Sequence, residues 1–129
     1  MLKTGLLNPR VLDLVARVRH TNTLVIADRG FPFWPGLETV DLSLVDDVPT
    51  VLQVLRALRE NFIVGKAWMA EEFRASNPPR TQREFTAALQ RVELTFEPHV
   101  QFKTRVPKAI GLIRTGDTVQ YANLILESA

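Results

Sequence analysis

Apolar positions recur along the chain in two rhythms, one helical and one nearly continuous. Asn8-Pro9 precedes Val11, Leu12, Val15 and Val18, a spacing that predicts a helix capped by Asn8 with Pro9 at its first position. Arg10, Asp13 and Arg17 fall on its other face. TLVIAD at 23–28 follows, and its unbroken apolar run from Leu24 to Ala27 predicts a strand covered on both faces. Two Pro and two Gly within 29–36 mark a loop. The 39–44 segment alternates briefly, as a short strand or an extended connection. Pro49 is expected to open a second helix with Val51, Leu52, Leu55 and Leu58 on its inner side. An apolar strand lies within 62–69, then 70–76 reads as a short helix or loop interrupted by Asn77-Pro78-Pro79. Thr81-Gln82-Arg83-Glu84 fits a capping box for a helix carrying Phe85, Ala88, Leu89 and Val92. The remainder reads as strand 93–97, a helical piece at 98–105, strand 109–114, a turn at Thr115-Gly116-Asp117 and strand 121–126.

Strands that lack a polar face and alternate with helices predict a compact, layered α/β domain around a largely parallel sheet. The Gly-centred turn near the end allows an antiparallel hairpin, which would make the sheet mixed. At 129 residues, the chain has the length of one domain, spanning 1–129. So small a sheet leaves apolar residues near its margins, and self-association is expected.

Composition narrows the chemistry. Hydrophobic residues are 46% of the chain and charged residues 23%, an ordinary globular mixture. The net charge of +2 is a weak lure for nucleic acid, and the arginines are dispersed without interleaved aromatics. With no Cys, disulfides, thiol catalysis and zinc–thiolate sites are excluded, and two His cannot build a three-histidine metal centre. No phosphate-cradling glycine motif occurs. No apolar run approaches the roughly 20 residues needed to cross a bilayer, and Met1–Arg10 lacks a secretory pattern. The expectation is a cytoplasmic protein that engages neither nucleic acid nor membrane.

A few side chains are candidates for chemistry. His20, between the first helix and first strand, is either a helix-end residue facing terminal carbonyls or a general acid–base group. Asp28 ends the apolar strand just before Gly30, where open α/β sheets gather ligands; a turn cap is its alternative role. His99 opens the 98–105 helical piece, either as a structural residue or as a proton acceptor. A strand of period two would place Tyr121 and Asn123 on one face and Ala122 on the other, a phenol and an amide suited to hydroxyl groups. Phe31 and Trp34 either pack their loop or stack on a ligand or partner. Glu71 and Glu72 point in different directions on a helix and make a poor catalytic pair.

The stretch HTNTLVIADRGFP at 20–32 resembles the opening of the D-ribose pyranase (RbsD) family, related to L-fucose mutarotases. The resemblance continues through VDLSLVDDVPTVLQVL at 40–55, AEEFRASNP at 70–78, HVQFK at 99–103 and IRTGDTVQYANLIL at 113–126. It implies an α/β subunit in a ring-like homo-oligomer, an octamer or decamer, with sugar sites near subunit boundaries. It implies an isomerase that interconverts cyclic forms of a free monosaccharide, D-ribose first, with no cofactor. His20 then resembles the proton donor, Asp28 and His99 match substrate contacts, and Tyr121-Ala122-Asn123 matches the sugar-binding segment. Ala122 would contribute backbone groups only. Arg29, the bulky Phe31-Pro32-Phe33-Trp34 loop and a short 79–98 region depart from the family pattern. The alternatives are a mutarotase for another sugar and a non-catalytic sugar-binding or regulatory oligomer.

Overall fold

A computed structural model describes residues 1–129. Its elements, in chain order, are α1 (Pro9–Arg17), β1 (Thr23–Ala27), β2 (Thr39–Asp41), α2 (Val51–Arg59), β3 (Val64–Ala70) and α3 (Glu71–Ser76). They continue as α4 (Pro79–Ala88), β4 (Glu93–Glu97), α5 (His99–Arg105), a 3-10 turn (Val106–Lys108), β5 (Gly111–Arg114) and β6 (Leu124–Ser128). The six strands form one sheet in the order β2-β5-β1-β6-β3-β4. β5 pairs parallel with both β2 and β1, and β3 pairs parallel with β4. β6 runs antiparallel between β1 and β3, so the sheet is mixed.

Local chemistry accounts for the helix ends. The Asn8 side chain accepts from the backbone N–H groups of Arg10 and Val11, and Pro9 occupies the first turn of α1. α2 starts at Val51, two residues later than Pro49 suggested. Thr50 caps it, and Gln53 reciprocates to complete a capping box. The box expected at Thr81 is not formed. α4 already begins at Pro79, whose fixed φ suits a first helical residue, and this leaves Thr81 inside the first turn.

Alternate strand residues divide the core into two layers. Leu24, Ile26, Met69, Ile113 and Leu124 face α1, α2, α3 and α4 across a cluster that includes Leu14, Leu55, Phe73 and Phe85. Val25, Ala27, Leu112 and Ile125 face the opposite way, onto Phe31, Phe102 and Val106. The second face is covered only by α5, the 3-10 turn and the 31–37 loop. Each fully buried aliphatic or Phe side chain stabilises the fold by about 1.5–3 kcal/mol relative to exposure. No helix is long and apolar enough to cross a membrane.

Two expectations about the end of the chain are overturned. β5 and β6 are not a hairpin, because β1 lies between them and pairs with both. The last strand starts at Leu124, so Tyr121, Ala122 and Asn123 belong to the loop that enters it. Tyr121 sits at φ 55°, in the left-handed region, which is incompatible with an extended strand.

Candidate active site

The sheet delivers its polar residues to one edge. β1 and β5 end there, antiparallel β6 begins there, and β4 ends there just before α5. Asp28 leaves the carboxyl end of β1 and starts a tight loop in which its Oδ1 accepts the Gly30 N–H at 2.9 Å. After β5, Thr115 crosses over the end of β1. Its N–H and its hydroxyl both donate to the Ala27 carbonyl, at 2.9 and 2.8 Å. Gly116 follows where no side chain fits, since a Cβ there would lie 2.3 Å from the Val45 carbonyl oxygen. Asp117 is buried. One of its oxygens accepts the Val51 N–H at the start of α2 and the other accepts the Val119 N–H, each at 2.8 Å. The 115–123 segment is thus tied to the end of β1 and to the start of α2.

That segment and the 28–32 loop face each other across a cavity of about 280 Å³. Two hydrogen bonds tie its walls together. The Asp28 N–H donates to Asn123 Oδ1 at 2.7 Å, and the Arg29 N–H donates to the Asp117 carbonyl at 3.1 Å. Arg114, at the end of β5, braces the first wall by donating to the carbonyls of Asp28 and Pro32 at 3.1 Å and of Arg29 at 3.4 Å. His99 closes one side. Its ring stacks on Phe102 at 5.9 Å and meets Tyr121 and Phe31 edge-on at 5.2 and 6.1 Å. The result is a polar floor beside an aromatic wall, the combination that binds hydroxyls and C–H faces together.

The electrostatics are asymmetric. Burial pushes the Asp28 carboxyl above the usual aspartate range, and the Asp117 charge adds to this. The Gly30 and Phe31 N–H groups and the Asn123 side chain oppose it. Burial also depresses the proton affinity of His99, and Lys103 acts in the same direction. His99 Nδ1 is buried without a hydrogen-bond partner. The Asp28 carboxyl moves up toward neutral pH, whereas the His99 imidazole moves down and away from it, which favours the neutral, proton-accepting form of the ring.

Of the six residues singled out from the sequence, Asp28, His99, Tyr121 and Asn123 line this cavity. Ala122 does not. It is fully buried in the core and presents no atom at the wall. His20 does not either. It is exposed in the turn at the amino end of β1, and five strand residues at about 3.3 Å each separate it from the Asp28 end. Within one chain, His20 and this cavity therefore lie at opposite ends of β1. Arg114 and Asp117 were missed as site residues. In sequence they read as a charged strand end and a turn, and only their carbonyl and N–H partners, distant along the chain, reveal them.

The chain matches the RbsD / FucU transport protein family over residues 1–129. It belongs to that family. Within it the chain falls on the D-ribose pyranase side. The D-ribose pyranase of Geobacillus kaustophilus is 39% identical over 128 residues, covering 99% of this chain and 93% of that protein. The D-ribose pyranase of Limosilactobacillus fermentum is 35% identical, covering 99% and 97%. The structure of Bacillus subtilis RbsD complexed with D-ribose superposes with a TM-score of 0.93 at 33% identity, covering 100% of this chain and 98% of that one. The fucose mutarotase of Streptococcus pneumoniae, solved with L-fucose, shares the fold at a TM-score of 0.79 and 18% identity. Family membership supports sugar-ring isomerase activity at the level of the family.

Proposed function

We propose that this RbsD-family chain interconverts the pyranose and furanose forms of free D-ribose. The observation that carries the reading is the convergence of Asp28, His99, Tyr121 and Asn123 on one polar cavity with an aromatic wall. The likeness to an RbsD structure complexed with D-ribose supports the choice of sugar.

Ring exchange begins when a base takes the anomeric hydroxyl proton and the bond between C1 and the ring oxygen breaks. That oxygen then takes up a proton. Rotation of the open-chain aldehyde brings a different hydroxyl to C1, and the same proton transfers run in reverse. The ring breaks and closes without net redox change. In this scheme Asp28 and Asn123 hold sugar hydroxyls, and Tyr121 and His99 pack against the sugar. Ala122 acts from the core by fixing the spacing between its two neighbours. A well-placed acid or base typically contributes about 10²–10⁴-fold.

His20 is the proposed proton donor, and its distance from the pocket of its own chain means that a second copy must bring it. A ring-like homo-oligomer meets that need, because a head-to-tail contact repeats until it closes. Exposed Val100, beside His99, and exposed Leu44 and Val45, on the loop that backs Gly116, supply apolar surface for such contacts.

Saturation-transfer NMR across free pentoses and hexoses tests the function. Accelerated exchange between D-ribose ring forms is expected. Saturable binding without acceleration would favour a sugar-binding protein, and acceleration confined to another sugar would change the substrate. Neither binding nor acceleration would overturn the reading.

A further inference from the structure

The acidic pair Glu71-Glu72 is split by the fold. Glu71 is taken by Arg74, one turn along α3. Glu72 faces the other way and has no Lys or Arg within ion-pair distance. Both of its carboxylate oxygens accept the backbone N–H of His99, at 3.0 and 3.1 Å. The sheet register explains the meeting. β3 and β4 run parallel with Ala70 opposite Glu97, so the residues two places beyond each strand, Glu72 and His99, emerge side by side. α5 has need of this acceptor. Its cap residue is Pro98, which offers no side-chain oxygen, so its first N–H would otherwise go unpaired.

We propose that Glu72, which lies outside the cavity wall, is the positioning residue for His99: its carboxylate anchors the first turn of α5 and so holds the imidazole at the sugar pocket. This rests on the reading of His99 as a sugar-site residue. The His99 ring is fixed on one side by Phe102, a turn along the same helix, and meets Phe31 and Tyr121 on others. Freeing its backbone N–H releases the one end of the helix that carries the ring. The carboxylate also supplies charge. Lys103 on α5 and burial disfavour the imidazolium, whereas Glu72 on α3 and Asp28 beyond β1 favour it; the remaining titratable group against the ring is the Tyr121 phenol. Anchoring and charge are separable. Gln keeps an oxygen that can accept the N–H but removes the charge, and Ala removes both.

The chain has two histidines, so the His99 imidazole signals in a ¹H–¹³C spectrum are assigned by their persistence in His20→Gln. Full-length wild type, Glu72→Gln and Glu72→Ala are titrated by this signal, and D-ribose affinity and exchange are measured alongside. Glu72→Gln is expected to move the His99 midpoint and the acid limb of exchange to lower pH, with sugar affinity kept within about twofold. Glu72→Ala is expected to weaken D-ribose binding about three- to tenfold and to lower kcat/KM by more than about tenfold. A His99 midpoint unmoved in Glu72→Gln, or a folded Glu72→Ala with wild-type affinity and kcat/KM, overturns the proposal. If Glu72→Ala fails to fold, the Gln titration decides alone. Should wild type exchange no sugar, the functional reading falls, while the imidazole titration still judges the Glu72–His99 link.

Discussion

Asn123 is where the pocket and the stability of the fold meet, and replacing it with Ala separates the two. Its side chain is buried, and its Oδ1 accepts the Asp28 N–H at 2.7 Å across 95 residues of sequence. Ala at this position leaves that N–H facing a space with no acceptor. An unpaired, partly buried donor costs about 1–3 kcal/mol. For a domain of this length each kcal/mol lowers the Tm by about 3–5 °C, so Asn123→Ala should melt several degrees below wild type. A second effect follows at Asp28. The Asn123 side chain is one of the groups that restrain the rise in its proton affinity, so its loss should push the carboxyl further up. Urea denaturation with an unchanged m-value measures the first effect, and titration of D-ribose into the folded variant measures the loss of the contact. Asn123→Asp is the companion, since it keeps an acceptor for the N–H but sets a second carboxylate beside Asp28. It should recover part of the stability at acidic pH and little of it at pH 7. An Asn123→Ala protein within about 0.5 kcal/mol of wild type, binding D-ribose normally, would refute the assignment of this bond as the tie between the two walls.

Burial raises the Asp28 carboxyl, so on raising the pH the unfolded chain loses this proton before the native one does and the native state is progressively disfavoured. Asp28→Asn should therefore gain stability relative to wild type as the pH rises from below the ordinary aspartate value to 7, while losing ring exchange; parallel urea midpoints across that range would count against it. Arg114→Met removes the donor from the carbonyls of Asp28, Arg29 and Pro32 and should raise the D-ribose Kd about tenfold, with Arg114→Lys recovering only part because an ammonium lacks the fork. Wild-type calorimetric affinity in Arg114→Met would show that the 28–32 wall holds itself. His20→Gln and Asp28→Asn, each inactive alone, should regain exchange when unfolded together and refolded at equal amounts, because about a quarter of head-to-tail sites would then carry both native groups. No recovery in mixed oligomers of verified composition would place His20 outside the shared site.

The sequence alone determined what depends on neighbours along the chain. The Asn8-Pro9 start of α1, the doubly buried β1, the α/β class and the position of Asp28 at a strand end all follow from periodicity, capping and fixed φ, which act over a few residues. The five family blocks carried the site further, to His99 and the Tyr121–Asn123 segment. Tertiary structure decided whatever depends on partners far apart in sequence. β6 entered between β1 and β3 rather than beside β5, because β1 pairs with both through bonds no local pattern encodes. Tyr121 took a left-handed turn, and Asn123, readable from sequence as a hydroxyl contact, gave its oxygen to the Asp28 backbone. His20 and Asp28 stand eight positions apart in sequence, yet an extended strand carries them to opposite edges of the sheet. Glu72 and His99, 27 positions apart, were brought into contact by the register of β3 on β4. Sequence spacing measures distance only within one element; between elements, strand order and register set which groups meet.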